Sequence, residues 1–209
     1  AYGSKDAEGK DTETFGFGPV DLTVNAGEVV FIIGGNGSGK STFVKLLTGL
    51  YDSDSGGISI NGHPINRQEL GEYFSVVFSG DYHFKKLFGI PLDGREQEVD
   101  GLIDKMRLND KVSVENQEFS TIDLSGGQRK RLALLKCYLE DRPVFVFDEF
   151  AADQDPEFRK YFYTELLPEL RSMGKTVIAI THDDHYFDSA DKVIKFNYGS
   201  LEYVQSNNE

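Results

Sequence analysis

A glycine-rich segment near the start of the chain has the composition and order of a phosphate-binding loop. Residues 34–41 read Gly-Gly-Asn-Gly-Ser-Gly-Lys-Ser and fit the pattern GxxxxGK[ST]. Glycines let the backbone curl so that successive N–H groups face phosphate oxygens, and a following helix adds partial positive charge. Lys40 is placed to reach the β- and γ-phosphates, and the Ser41 hydroxyl to ligate Mg²⁺. The predicted phosphate site comprises Gly34, Gly35, Asn36, Gly37, Ser38, Gly39, Lys40, Ser41 and Thr42.

A pair of carboxylates that follows the apolar run 144–147 is the second candidate for chemistry. Asp148 at the strand end is placed to hold Mg²⁺ through water, and Glu149 to polarise an attacking water as general base. Taken alone, the pair is equally well explained as a solvated strand end. Its position downstream of a phosphate-binding loop favours the catalytic interpretation.

A second serine–glycine cluster opens a predicted helix further along the chain. Its residues are Leu124, Ser125, Gly126, Gly127 and Gln128. A helix N-terminus of this composition can bind an anion, although Ser125 can equally be an ordinary helix cap. One chain does not need two phosphate sites for one nucleotide, whereas two chains arranged head to tail do.

Short apolar runs alternate with helical patterns, as the positioning of these sites requires. Strands are predicted at residues 28–33, 73–78, 144–147 and 176–180, and helices at 40–50, 95–108, 128–140 and 156–171. This alternation predicts an α/β fold with a mostly parallel sheet and helices on both faces. No strand is predicted between about residues 81 and 140. We interpret 81–140 as a helical subdomain inserted between core segments 1–80 and 141–209.

Composition limits the classes of function. The net charge of −13 argues against nucleic acid as a partner and against docking on anionic lipid. The single cysteine, Cys137, cannot form an internal disulfide, which suits a reducing compartment. No apolar run approaches the roughly 20 residues that span a bilayer, and no signal peptide is visible. We expect the chain as given to be soluble, and it can still be one piece of a longer membrane protein.

The strings GGNGSGKST, LSGGQ and FVFDE, in this order, resemble the nucleotide-binding domain of an ABC transporter. The resemblance covers nearly the whole chain and implies an ATPase that uses ATP and Mg²⁺. It implies a P-loop core sheet, a small antiparallel β flank and an inserted helical arm that ends in LSGGQ.

The same resemblance implies further site residues and a partner. In an ATP-dependent head-to-tail homodimer, LSGGQ of one subunit contacts the γ-phosphate held by the other. Asp155 matches the aspartate of the family's dimer-crossing D-loop, here residues 152–155, and His182 matches the switch histidine near the γ-phosphate. As simpler interpretations, Asp155 caps the helix that begins at Pro156, and His182 is an ordinary core histidine.

Longer strings are similar to exporters of cyclic peptides and siderophores. They are DEFAADQDPEFRKYFY and LLPELRSMGKTVIAITHDDHYF. This likeness implies a preceding transmembrane domain, and a place at the cytoplasmic face of the bacterial inner membrane for the full-length protein. The chain also begins within the expected first strand, as an excised C-terminal domain would. The alternative is a soluble ABC ATPase that is not attached to a transporter.

Two positions depart from the family pattern. Most ABC domains place a Mg²⁺-contacting glutamine after the strand predicted at 73–78, where Ser79 stands in this sequence. The aromatic residue that stacks on adenine normally ends a first strand. Tyr2 is the best candidate, and Phe15 and Phe17 are fallback candidates.

Overall fold

The computed structural model describes residues 16–80 and 85–207, which form three β-sheets. The strands are β1 (Val29–Ile33), β2 (Ile58–Ile60), β3 (His63–Ile65), β4 (Phe74–Val77), β5 (Val114–Glu115), β6 (Glu118–Phe119), β7 (Val144–Asp148), β8 (Thr176–Ile180), β9 (Lys192–Asn197) and β10 (Ser200–Ser206). The main sheet has the order β10-β9-β1-β8-β7-β4. Only β10 runs antiparallel to its neighbour in this sheet. The hairpins β2–β3 and β5–β6 form the two small sheets.

Six α-helices lie in the described part of the chain. They are α1 (Lys40–Leu47), α2 (Arg67–Leu70), α3 (Glu96–Lys105), α4 (Gly126–Glu140), α5 (Pro156–Tyr161) and α6 (Leu167–Ser172). A π-helical turn, Phe162–Leu166, joins α5 to α6 without a break. Short 3₁₀ turns follow β7 at Phe150–Asp153 and β8 at Asp184–Ser189. None of the helices in residues 16–80 and 85–207 is long and apolar enough to cross a bilayer.

Both faces of the main sheet are covered, which explains why its strands are apolar on both sides. Alternate residues of β1 enter different core clusters: Phe31 packs with residues of α4, α5 and α6, and Ile32 packs with residues of α1 and β9. Cys137, on the α4 side, is buried. Because β1, β8, β7 and β4 are parallel, their carboxyl ends meet at one edge of the sheet. Each of these strands leads directly into a predicted site segment.

The predicted fold class is confirmed, and β8 has the predicted bounds. Helix α1 ends at Leu47 rather than residue 50, because the chain reverses at Gly49, where φ is 74°. Helix α4 begins two residues before its predicted start, because Ser125 caps it. The predicted helix 156–171 is the continuous run of α5, the π turn and α6.

The prediction of no strand between residues 81 and 140 is wrong, because β5 and β6 form a hairpin there. Its turn places Asn116 and Gln117 at φ 51° and 60°. The paired segments are two residues each, too short to show an alternating pattern. The strands β9 and β10 were also missed, because charged residues interrupt their apolar runs.

Candidate nucleotide-binding site

The glycine-rich loop between β1 and α1 has a backbone that only glycine adopts easily. Gly34, Gly37 and Gly39 have φ of 143°, 77° and 101°. A Cβ atom at Gly34 would lie 2.3 Å from the carbonyl oxygen of Phe196, at the end of the neighbouring β9. The missing side chain therefore lets the loop pack closely on β9.

Lys40 is held inside this loop. Its side chain is 5% exposed, and Nζ donates to the carbonyl oxygens of Gly34 at 2.8 Å and Gly35 at 3.0 Å. Burial lowers the pKa of Lys40, and the carboxylates of Glu149 and Asp148 partly oppose that shift. The ammonium group can exchange its two carbonyl partners for phosphate oxygens, which make stronger charge-assisted hydrogen bonds.

Ser38 supplies a further observation that a polar ligand fits the loop. Its hydroxyl oxygen is buried and has no hydrogen-bond partner among the described residues. A buried polar atom without a partner is unfavourable in a folded protein, and a phosphate oxygen would supply the missing bond. Together with the positive φ angles of Gly34, Gly37 and Gly39, this atom indicates a loop shaped to bind phosphate.

The three residues predicted to bind metal lie together. Asp148 is 2% exposed, and its two carboxylate oxygens accept hydrogen bonds from the Ser41 hydroxyl at 3.3 Å and the Ser79 hydroxyl at 2.9 Å. All three side chains offer oxygen, the donor that Mg²⁺ prefers, and a site for this ion usually keeps several waters. Residues 16–80 and 85–207 contain no group of three or more His, Cys, Asp or Glu side chains that could hold a metal ion.

Glu149 follows directly and has a left-handed backbone, with φ 54° and ψ 40°. Its N–H donates to Ile180 at 3.2 Å, and its carbonyl oxygen accepts a bond from the Lys130 Nζ at 2.7 Å. Glu149 lines an open cleft together with residues 36–42. Glu149 therefore lies beside the predicted phosphate site, close enough for its charge to act on Lys40.

His182 lies beside Glu149, with 3.4 Å between the histidine Nε2 and the glutamate Oε1. The side chain is about half exposed, so it is not an ordinary core histidine. The neighbouring residues are tightly held: the Thr181 hydroxyl and the Asp183 carboxylate both bond to the Tyr163 hydroxyl, at 2.6 and 2.9 Å. The sequence did not indicate Tyr163, because 18 residues separate it from Thr181.

The segment 124–128, called the signature segment below, is not part of this cleft in the same chain. Ser125 caps α4 and forms a reciprocal capping box with Gln128, so the ordinary role of this serine is confirmed. A Cβ at Gly127 would lie 2.4 Å from the Asp153 carbonyl oxygen, so α4 begins in close contact with the D-loop. Within the described chain, the residues that line the cleft are 36–42 and Glu149 alone.

Asp155 caps α5, because its carboxylate accepts a bond from the Phe158 N–H at 2.9 Å. The same carboxylate pairs with Arg131 of α4, whose guanidinium stacks 3.7 Å above the Phe158 ring. Backbone and side-chain bonds to this carboxylate hold the pKa of Asp155 below its ordinary value. The D-loop and the start of α4 are thus joined within one chain.

Candidates for adenine stacking are only partly covered by the structure. Tyr2 and Phe15 lie outside the described residues. Phe17 packs against Phe43 and Phe196, with ring centroids 6.0 and 5.2 Å away, which accounts for it as a core residue. Another aromatic side chain near the loop, Tyr198, is 87% exposed and precedes Gly199, whose N–H donates to the Ser38 carbonyl oxygen at 2.9 Å.

The parallel sheet, the glycine-rich loop and its buried lysine define a P-loop nucleotide-binding domain. The family profile described as "ABC transporter" matches residues 17–152. The chain belongs to the ABC transporter family and is an ATP-binding ATPase domain of it.

Curated relatives agree with this assignment. The chain is 46% identical over 194 residues to the ATP-binding protein SyrD of Pseudomonas syringae pv. syringae. The matched region is 90% of this chain but 34% of that protein. The chain is 28% identical to the mesentericin-Y105 transport/processing ATP-binding protein MesD of Leuconostoc mesenteroides, over 91% of this chain and 28% of that protein. The chain therefore spans about a third of each of these two relatives.

Solved structures share the fold. A dimeric bacterial ABC transporter cassette, MJ0796, superposes with a TM-score of 0.77 at 21% identity, over 92% of this chain and 91% of that one. A bacterial Atm1-family ABC exporter with ATP bound gives 0.70 at 26% identity, over 87% of this chain and 34% of that one.

Proposed function

We propose that the chain is the ATP-hydrolysing domain of an ABC exporter for a cyclic peptide or siderophore, at the cytoplasmic face of the bacterial inner membrane. The similarity to SyrD and MesD supports this proposal, since MesD is named as a transport and processing protein. The remaining two thirds of such a protein would supply the transmembrane domain. These similarities do not favour a soluble ABC ATPase.

The observation that carries the proposal is the convergence of Lys40, Ser41, Asp148, Glu149 and His182 at one edge of the sheet. Lys40 and the N–H groups of the loop would hold the phosphates of ATP. Ser41, Asp148 and Ser79 would hold Mg²⁺ directly or through water. When bound, this ion neutralises charge on the phosphate oxygens and orients them.

Glu149 is placed to act as the general base. A water oxygen forms a bond to the γ-phosphorus while the bond from that phosphorus to the ADP oxygen breaks, and the water proton passes to the Glu149 carboxylate. His182 lies against the same carboxylate and would hold it toward the water while contacting the γ-phosphate. The products are ADP and phosphate.

The signature segment supports a head-to-tail dimer. Its residues lie away from the cleft of their own chain, and Ser125 at the start of α4 is exposed. A second copy related by a two-fold axis would bring each signature segment over the partner's Lys40. Asp155 would lie near the dimer axis with the rest of the D-loop.

Two finer assignments belong to the same proposal. Residues 1–80 and 141–209 would form the ATP-binding core, and 81–140 the helical subdomain that faces the membrane domain. For adenine, Tyr198 joins Tyr2 as a candidate stacking partner, because it is exposed and adjacent to a residue bonded to the loop.

Substituting Glu149→Gln tests the proposal. Removing the base should lower the rate of phosphate release at least about 100-fold, while ATP binding is retained. The slow variant should accumulate as a dimer in Mg-ATP, because ATP that binds only the dimer favours it by mass action. Size-exclusion chromatography with light scattering and a phosphate-release assay measure the two effects.

Lys40→Ala is the matched control, since it removes the phosphate contact instead of the base. It should weaken ATP binding more than tenfold, or about 1.4 kcal/mol, and abolish the dimer. A Glu149→Gln protein that stays monomeric in saturating Mg-ATP would contradict the head-to-tail proposal. Unchanged hydrolysis would contradict the assignment of Glu149 as base.

A further inference from the structure

Lys130, in the second turn of α4, is a buried cation whose two partners both lie outside its own helix. Its side chain is 5% exposed. Nζ donates to the Glu149 carbonyl oxygen at 2.7 Å and forms an ion pair with Asp153 at 2.6 Å. A lysine is rarely buried unless it is paired, so these two contacts account for its position.

The contact matters because of the backbone at Glu149. A left-handed conformation is unfavourable for a residue with a Cβ, and it persists only where the surroundings hold it. The strand β7 ends at Asp148, and beyond it the Glu149 carbonyl accepts one longer bond, from the Ala152 N–H at 3.4 Å. Lys130 supplies the short bond that fixes this carbonyl, and with it the direction in which the carboxylate leaves the chain.

We propose that Lys130 is a positioning residue that holds Glu149 in its reactive geometry and ties it to the signature segment. This inference rests on the proposed role of Glu149 as general base. Lys130 lies two residues after Gln128, near the start of the helix that begins in the signature segment. A shift of α4 therefore moves the group that holds Glu149.

A second connection makes the start of α4 and the region after Glu149 one packed unit. The Gln154 side chain is 5% exposed and donates to the Gly127 carbonyl at 3.1 Å, while accepting a bond from Arg131 at 2.8 Å. If the signature segment contacts the γ-phosphate held by a second copy, that contact bears on the base of its own chain. ATP in one site of the proposed dimer would then affect hydrolysis in the other.

A comparison of two lysines on α4 tests the proposal. Lys130→Met removes the donors but retains the length of the side chain. Lys136→Met is the control, because Lys136 lies on the same helix, is partly exposed and pairs only locally, with Glu140 at 3.3 Å. Lys130→Met should lower kcat for ATP hydrolysis about tenfold or more, with less than about a threefold change in ATP affinity, and Lys136→Met should change neither.

The decisive measurement repeats both substitutions in the Glu149→Gln background. If Lys130 acts through Glu149, its loss should have almost no further effect on residual hydrolysis there, because residues that act as a unit are not additive. An equal fold-loss in both backgrounds, or wild-type kcat in Lys130→Met, overturns the proposal. If Glu149→Gln itself leaves hydrolysis unchanged, the assignment of the base fails first, which is a separate result.

Folding is checked by circular dichroism and by the thermal shift that Mg-ATP produces. If Lys130→Met does not fold, Lys130→Ala is measured in the same two backgrounds, wild type and Glu149→Gln. The smaller residue leaves room for water to bond the Glu149 carbonyl. Lys130→Gln retains a donor one bond nearer the backbone and should lose less activity than either variant. A Gln variant no better than Met would contradict a role for the hydrogen bond.

Discussion

The two carboxylate oxygens of Asp148 accept hydrogen bonds from two different serines. One is Ser41 of the glycine-rich loop, and the other is Ser79, which follows β4. The serine that stands where most ABC domains have a glutamine thus bonds to a second candidate metal ligand. A serine side chain is too short to contact Mg²⁺ in the way that a glutamine side chain does. In our interpretation, Ser79 orients Asp148 while Asp148 holds the ion through water.

Ser79→Ala should therefore lower turnover by less than about tenfold, or about 1.4 kcal/mol in the barrier, and Asp148→Asn by far more. Ser75→Ala is a suitable control, because Ser75 lies on β4, the strand that precedes Ser79, and bonds another carboxylate, that of Glu140, at 2.9 Å. Steady-state phosphate release at saturating Mg-ATP gives the comparison. Equal damage from Ser79→Ala and Asp148→Asn would mean that Ser79 contacts the ion directly.

Among single residues, the sequence predicted those that belong to a local motif. Lys40, Asp148 and Glu149 are of this kind. Lys130 and Tyr163 were missed, because their partners are 18 to 23 residues away and no local pattern marks the contact. Only the folded backbone brings such residues together.

Among the elements, the helix that runs from Pro156 to Ser172 contains the least regular stretch, the π turn Phe162–Leu166. Pro168 explains it: a proline within a helix has no N–H to donate and its ring crowds the carbonyl four residues earlier, at Thr164. Widening the preceding turn relieves that crowding. π turns are frequent at functional sites, and this one carries Tyr163 to the residues on either side of His182.

Tyr163→Phe removes one hydroxyl and should cost about 1–3 kcal/mol of the free energy of unfolding, since it breaks the hydrogen bonds of a buried phenol to Thr181 and to the charged Asp183. Hydrolysis should fall more than ATP affinity, because Lys40 and its loop are untouched. Burial raises the pKa of the Tyr163 phenol, so the hydroxyl stays a donor at neutral pH. Urea unfolding and turnover measure the two effects.

Tyr138→Phe is the control for this hydroxyl. The Tyr138 oxygen is also buried but has no hydrogen-bond partner in the part of the chain that the structure describes. Its removal should be neutral or slightly stabilising. A Tyr163→Phe protein as stable and active as Tyr138→Phe would mean that His182 is placed without the Tyr163 network.

Element types were predicted where a periodic or uniformly apolar run is long, as in β8 and α4. The hairpin β5–β6 and the strands β9 and β10 were not, because their sequences are polar or too short. The π turn could have been anticipated only from Pro168, which by itself predicts a break as readily as a bulge. Tertiary packing of Leu166, Leu167 and Leu170 in the core keeps this helix continuous.

For the whole molecule, net charge opposes the proposed association of two chains. Each chain carries −13, and each bound ATP adds further negative charge. Two such chains repel over distances comparable to the screening length, which falls from about 30 Å at 0.01 M salt to about 10 Å at 0.1 M. The proposed dimer should consequently be sensitive to salt.

We expect the Glu149→Gln dimer in Mg-ATP to tighten by roughly threefold or more between about 0.01 and 0.1 M potassium chloride. Analytical ultracentrifugation gives the dissociation constant at each salt. The same series in potassium glutamate controls for a specific effect of chloride. A dimer that weakens as salt rises would indicate that attractive ion pairs across the interface outweigh the total charge.

The buried thiol of Cys137 makes this protein convenient to label. It is the only cysteine in the sequence, it is 3% exposed, and burial raises the pKa of its thiol far above neutrality. Because only the exposed thiolate reacts readily with maleimides, the native chain is nearly inert to them. A cysteine introduced at an exposed position such as Ser125 would then carry the sole reactive group. Spectroscopic probes could follow the signature segment without first removing the natural residue from the core.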